Sequence, residues 1–198
     1  MENIFLTGFM GAGKTTVAAA LAKLLKRPAV DLDALLEDEF GSSIAEYFAA
    51  HGEKAFREQE TKLLSRIAQD DGLIIATGGG LPASPPNRAI MRANGTIVFL
   101  DLPFDVIADR LEQNTATRPN WKSRDDAQKL FESRQAAYHD CDITVDAARP
   151  AEDVAMDILQ KISGLTPFMA DIDGVKLPVS PTFNAPSELA QAVADKAY

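Results

Sequence analysis

The stretch GFMGAGKTT, residues 8–16, leaves few choices of fold, because it works only between a strand and a helix. Gly8, Gly13, Lys14 and Thr15 satisfy the pattern G-x-x-x-x-G-K-[ST]. The apolar run NIFL precedes it, and VAAALAKLL, with apolar residues at helical spacing, follows. Glycines in such a turn let successive backbone N–H groups converge on one anion, and the helix behind presents its positive end to the same point. A nucleoside triphosphate suits this geometry. Lys14 is expected to reach the β- and γ-phosphates, and the Thr15 hydroxyl a bridging Mg²⁺. Gly11, Ala12, Gly13 and Thr16 complete the expected phosphate contacts.

From Met1 to about Ser163 strand and helix patterns alternate. Strands are expected at Asn3–Leu6, Ala29–Asp31, Leu73–Ala76, Thr96–Leu100 and Ile143–Val145. Helices are expected at Thr15–Leu25, over LDALLEDEF up to Gly41, and after the capping-box pair Ser43 and Glu46. Further helices are expected at Glu53–Asp70, from Pro103 through Arg110, from about Asp125 to Tyr138, and after Pro150. TGGG followed by a proline-rich turn closes the third strand, and Asn114–Trp121, without periodicity, reads as a loop. Unbroken apolar strands between helices imply a parallel sheet covered on both faces, a three-layer α/β domain of five strands. The remaining residues, 164–198, form a short C-terminal extension with a turn signal at Asp173-Gly174 and a short helix after Pro186, with Ser187 as its cap.

Net charge is −9, which argues against broad contact with nucleic acid or an anionic membrane surface but not against a few arginines in a cleft. No apolar run approaches the roughly 18 residues of a membrane span. The N-terminus lacks a signal-peptide pattern, and the single cysteine, Cys141, suits a reducing compartment, so a cytoplasmic protein is expected. Cys141 lies between Asp140 and Asp142, which disfavour a thiolate, and it shares no ligand spacing with His51 or His139. Neither a nucleophile nor a zinc site is expected there. The acidic run LLEDEF reads as a solvated helix face.

The acceptor of the phosphoryl group has to be sought beyond the phosphate loop. Asp31 and Asp33 end the second strand as D-L-D, where an open parallel sheet faces its ligand crevice. FREQE, residues 56–60, sets Glu60 three residues after Arg57 on a helix, within reach of its guanidinium. TGGG, residues 77–80, brings bare backbone to the end of a central strand, where a small molecule can approach closely. Arg118 stands in the aperiodic loop and Arg134 in a helix. Each has an ordinary explanation as a helix cap, a surface ion pair or a turn.

In this order behind a phosphate loop, they resemble the shikimate kinases. The resemblance runs through GFMGAGKTT, DLD, GSSIAEYFAAHGEKAFREQE, TGGG, Arg118-Pro119 and ESRQAAY, over residues 2 to about 163. It implies the P-loop kinase fold and transfer of the ATP γ-phosphoryl to the 3-hydroxyl of shikimate, in chorismate and aromatic amino acid synthesis, with Mg²⁺ as cofactor. It further implies that Asp33 bonds the acceptor hydroxyls and takes the attacking proton. Arg57 and Arg134 would clamp the carboxylate, with backbone from Gly78, Gly79 and Gly80. Glu60 would support Arg57, while Phe48 and Phe56 wall the ring. Asp31 would partner Mg²⁺ through water, Arg118 would close over ATP, and Arg110 would stack on adenine. Two arginines suit a carboxylate because their planar forks give charge-assisted paired bonds.

Two features depart from the family. Asn120 and Trp121 follow the lid Arg-Pro where leucines are usual, and an indole there either packs over the nucleotide or faces solvent. The extension after Ser163 is expected to be a surface-packed tail on a monomer; self-association or a place near the active site is the alternative. Another small-molecule kinase of this fold, such as a gluconate or nucleoside monophosphate kinase, and a non-catalytic nucleotide-binding module are the competing readings of the whole.

Overall fold

The computed structural model describes residues 2–113, 123–165, 169–172 and 175–178. Arg118, Asn120, Trp121, the rest of the expected aperiodic loop and the helix expected after Pro186 lie outside the described residues.

Five strands, β1 (Asn3–Thr7), β2 (Ala29–Asp31), β3 (Ile74–Ala76), β4 (Gly95–Asp101) and β5 (Ile143–Asp146), form one parallel sheet in the order β2-β3-β1-β4-β5. Among the described residues seven α-helices connect or flank them: α1 (Lys14–Leu25), α2 (Leu32–Phe40), α3 (Ile44–Ile67), α4 (Pro85–Asn94), α5 (Phe104–Gln113), α6 (Arg124–His139) and α7 (Ala151–Leu165). Side chains alternate across the sheet. Ile4, Leu6, Ile74 and Ala76 pack against Val17 and Leu21 of α1 and Val154 and Ile158 of α7. Phe5, Ile75 and Ile97 pack with Leu36 of α2, Phe56 and Leu64 of α3 and Met91 of α4. Two buried faces explain why these strands read as unbroken apolar runs.

The order puts β1 and β3 side by side, so the phosphate loop after β1 and the glycine run after β3 emerge next to each other. β2 sits beyond β3 and delivers Asp31 and Asp33 to the same edge.

Local signals set most helix ends. Gly41 ends α2 at φ 62°, a left-handed position that glycine adopts without strain. Ser43 and Glu46 form the expected capping box at the start of α3. Gly52, at φ 80° and ψ 171°, breaks α3 into 44–51 and 53–67, so the two helices read there are segments of one kinked element. The second segment ends at Ile67, short of the expected Asp70.

Helix α4 goes unread in the sequence because PPNRAIMRAN opens on two prolines. Prolines are tolerated in a first helical turn, where the missing N–H has no intrahelical acceptor. In the extension, β6 (Met169–Ile172) and β7 (Val175–Pro178) pair antiparallel on either side of the turn signal at 173–174, with β6 beside α1. No strands were expected there.

Candidate active site

At the carboxyl edge of the sheet lies a cleft of about 880 Å³. Its wall includes Gly11, Gly13, Lys14, Thr15 and Thr16 at one end and Asp33, Phe48, Phe56, Arg57, Glu60, Gly78, Gly79, Gly80 and Arg134 at the other, with Asp31 and Arg110 between or beside them. Ala12, buried at 2 % exposure, contributes backbone to the loop rather than wall. A second opening, lined by Asp101, Phe104, Phe131, Gln135, His139 and Asp146 among others, holds none of the predicted site residues.

The phosphate end is built from backbone. Gly13 caps α1 at φ 89° with no side-chain hydrogen bond to the helix. A helix start without a capping side chain is the arrangement that receives an anion. Lys14 Nζ donates to the Gly8 and Phe9 carbonyls, each at 2.9 Å, which folds the ammonium over the loop. Thr15 Oγ1 donates to Asp31 Oδ2 at 2.5 Å. The other oxygen of Asp31 accepts from Asp33 N–H at 3.0 Å and Ala34 N–H at 3.3 Å, capping α2. Asp31 is thus both a helix cap and a neighbour of the phosphate loop. Arg110 Nη1 donates to the Gly11 carbonyl at 3.4 Å, so the guanidinium expected at adenine lies against the loop.

At the acceptor end, three successive glycines each meet a polar side chain from a different helix. A β-carbon at Gly78 would lie 2.5 Å from Asp33 Oδ1 and 3.0 Å from Glu60 Oε1. One at Gly80 would lie 2.5 Å from Arg57 Nη1. The Gly79 carbonyl accepts from Arg134 Nη1 at 3.3 Å. The absent side chains at Gly78 and Gly80 therefore make room for Asp33, Glu60 and Arg57 themselves.

Arg57 Nη1 donates to Glu60 Oε2 at 2.8 Å, and Glu53 approaches Nη2 at 3.4 Å. The ordinary reading of this pair as a surface bridge fails, because Glu60 is only 2 % exposed. Burial pushes the Glu60 carboxyl above the usual carboxylate range; Arg57 opposes that rise and Asp33 adds to it. Burial alone would lower Arg57, but Glu60 and Glu53 outweigh it and hold the guanidinium above its ordinary value. Phe48 and Phe56 meet at 5.1 Å between ring centroids, and Arg57 lies over the Phe56 ring at 5.3 Å.

The acidic residues of LLEDEF are exposed as expected, but sequence reasoning missed that Glu37 lines the cleft and accepts from Ile44 N–H at 3.0 Å. It also gave no role to Tyr138, whose hydroxyl donates to the Gly79 carbonyl at 2.6 Å. The helical spacing Arg134-x-x-x-Tyr138 was the available signal.

The family model for shikimate kinase matches residues 10–163. The chain belongs to the shikimate kinase family. Membership makes it a phosphoryl-transferring enzyme of P-loop kinase fold. It is 39 % identical to the shikimate kinase of Enterococcus faecalis over 167 residues, covering 82 % of this chain and 99 % of that one. A Bacillus anthracis shikimate kinase is 41 % identical over 166 residues, with the same coverage. The solved shikimate kinase of Acinetobacter baumannii in complex with shikimate superposes with a TM-score of 0.78 at 34 % identity, over 84 % of this chain and 95 % of that chain. A gluconokinase from Sinorhizobium meliloti, at 18 % identity and a TM-score of 0.55, shares the fold alone.

Proposed function

We propose that this protein transfers the γ-phosphoryl of ATP to the 3-hydroxyl of shikimate, giving shikimate 3-phosphate and ADP. The observation that carries the reading is the run Gly78–Gly80, met in turn by Asp33, Arg134 and Arg57 in one cleft with Lys14. Arg57 and Arg134 bind the carboxylate and thereby orient the ring, Phe48 and Phe56 cover its apolar side, and Asp33 accepts bonds from the hydroxyls. A new bond forms between the 3-hydroxyl oxygen and the γ-phosphorus as the bond to the β–γ bridging oxygen breaks. The hydroxyl proton passes to Asp33. Lys14 offsets charge on the transferring group, where alignment and charge neutralisation supply most of the catalysis. Arg110 flanks the adenine, and Arg118 is assigned to closure over ATP.

Thr15 and Asp31 fit a magnesium ion, because a hydroxyl and a carboxylate, both hard oxygen donors, meet beside the phosphate loop. Thr15 would hold it directly and Asp31 through water, and the ion would supply neutralisation of charge on the phosphates.

Among the described residues no helix is long and apolar enough to cross a membrane. We assign the protein to the cytoplasm as a monomer acting on small molecules, which its acidic charge and single cysteine support. Residues 164–198 lie outside the catalytic unit in this reading, in keeping with a family match that ends at Ser163. A coupled ADP-release assay with shikimate, gluconate and AMP tests the acceptor. Turnover with shikimate alone is expected, and turnover with gluconate or AMP at a similar rate would refute it.

A further inference from the structure

Tyr138 lies one helical turn after Arg134 on α6 and is 1 % exposed. Its ring stacks on Phe99 with centroids 5.3 Å apart, and its hydroxyl and Arg134 Nη1 both donate to the Gly79 carbonyl, at 2.6 Å and 3.3 Å. Gly79 is itself pressed against the phosphate loop, since a β-carbon there would lie 3.3 Å from Met10 N.

Peptide groups are planar and the chain has no cis bond among the described residues, so fixing a carbonyl fixes the next N–H in the opposite direction. Leu81 N–H holds the Gly78 carbonyl at 3.1 Å, which sets the direction of the Gly79 N–H. Among the described residues the Gly79 carbonyl, and with it the Gly80 N–H, is held from α6. Of its two donors, Arg134 is the one that a bound carboxylate draws away, because a charge-assisted pair is stronger than a bond to a neutral carbonyl.

We propose that Tyr138 is a positioning residue for the acceptor: its hydroxyl keeps the Gly79 carbonyl in place when Arg134 turns to the substrate carboxylate. The Gly80 N–H then keeps its direction toward the acceptor end of the cleft. The proposal rests on the acceptor-site reading above and deepens it. A neutral hydroxyl suits the task, since it holds the carbonyl without competing for the anion. Burial pushes the Tyr138 phenol up to about 12, so it remains a donor at every pH near neutrality.

Tyr138→Phe removes the hydroxyl and keeps the ring on Phe99. Steady-state kinetics with shikimate are expected to show KM for shikimate raised about five- to tenfold, the scale of one lost hydrogen bond. The turnover number and KM for ATP should stay within about twofold of the unsubstituted enzyme. With an analogue carrying a hydroxymethyl group in place of the carboxylate, the same substitution should leave kcat/KM unchanged. An unchanged KM for shikimate, or an equal penalty with both acceptors, would overturn the proposal. Should the variant not fold, crystals of the unsubstituted enzyme with shikimate decide it. Tyr138 Oη is expected within hydrogen-bonding distance of the Gly79 oxygen with Arg134 on the carboxylate; a carbonyl turned away from Tyr138 overturns it. Absence of shikimate turnover by the unsubstituted enzyme would be a separate result, overturning the acceptor reading and this proposal with it.

Discussion

The two ends of the cleft are built from different materials. The phosphate end is one contiguous loop whose binding groups are backbone N–H, with Lys14 and Thr15 added at the helix it opens. The acceptor end is assembled from side chains on α2, α3 and α6 converging on three glycines. A backbone site serves any nucleoside triphosphate and says little about the partner. A side-chain site is specific to one molecular shape, and its parts are scattered along the chain. The two should therefore fail differently when cut.

Lys14→Met should have the largest effect, lowering kcat about 100- to 1,000-fold, the scale of removing one donor to developing charge. The loss should appear with saturating shikimate, and its confinement to shikimate KM would erase the distinction between the ends. Next, Arg134→Ala should weaken shikimate binding by about 2–3 kcal/mol, as for a bond to a charged group, with ATP affinity retained. Calorimetric titration with each ligand measures both, and unchanged shikimate affinity would remove Arg134 from the clamp.

Glu60 sharpens the contrast through pH. Its carboxyl is raised by burial, so the folded state holds its proton at pH values where the unfolded chain has released it. Stability from this group is therefore present below the ordinary carboxylate value and declines as pH rises toward the raised one. Urea unfolding across that window should show the protein losing stability relative to Glu60→Gln as pH increases; a parallel pH dependence in the two would contradict it. The smallest effect belongs to a helix cap at the wall of the cleft that supplies none of the assigned binding groups. Ser43→Ala, breaking the capping box of α3, should cost about 1 kcal/mol of stability, read by the same unfolding assay, with kcat unaltered.

The difference between the ends also explains what was legible in the sequence. GFMGAGKTT reports its own fold because the contacts are local, and the strand, loop and helix around it follow as expected. The three central strands, β3, β1 and β4, were legible because burial on both faces leaves runs such as LIIA and TIVFL without polar interruption. The Arg57–Glu60 contact was legible from helical spacing, but Gly80 was recognised only as part of a pattern, since its sequence separation from Arg57 says nothing of the distance between them. Burial of Glu60 and the approach of Arg57 to Gly80 depend on the kink at Gly52 and on β3 lying beside β2. Helix α4 hid behind its prolines. Tyr138 hid because a tyrosine on an amphipathic helix reads as core, and its hydroxyl's partner lies 59 residues earlier in the chain.

The central claim is that two guanidiniums pin the acceptor's carboxylate so that one hydroxyl lies between Asp33 and the γ-phosphate. Crystals of the protein with shikimate and a non-hydrolysable ATP analogue measure this directly. Arg57 and Arg134 should contact the carboxylate, with the 3-hydroxyl bonded to Asp33 and in line with the γ-phosphorus. A ring bound elsewhere in the cleft, or one whose carboxylate points toward Lys14, would contradict the account.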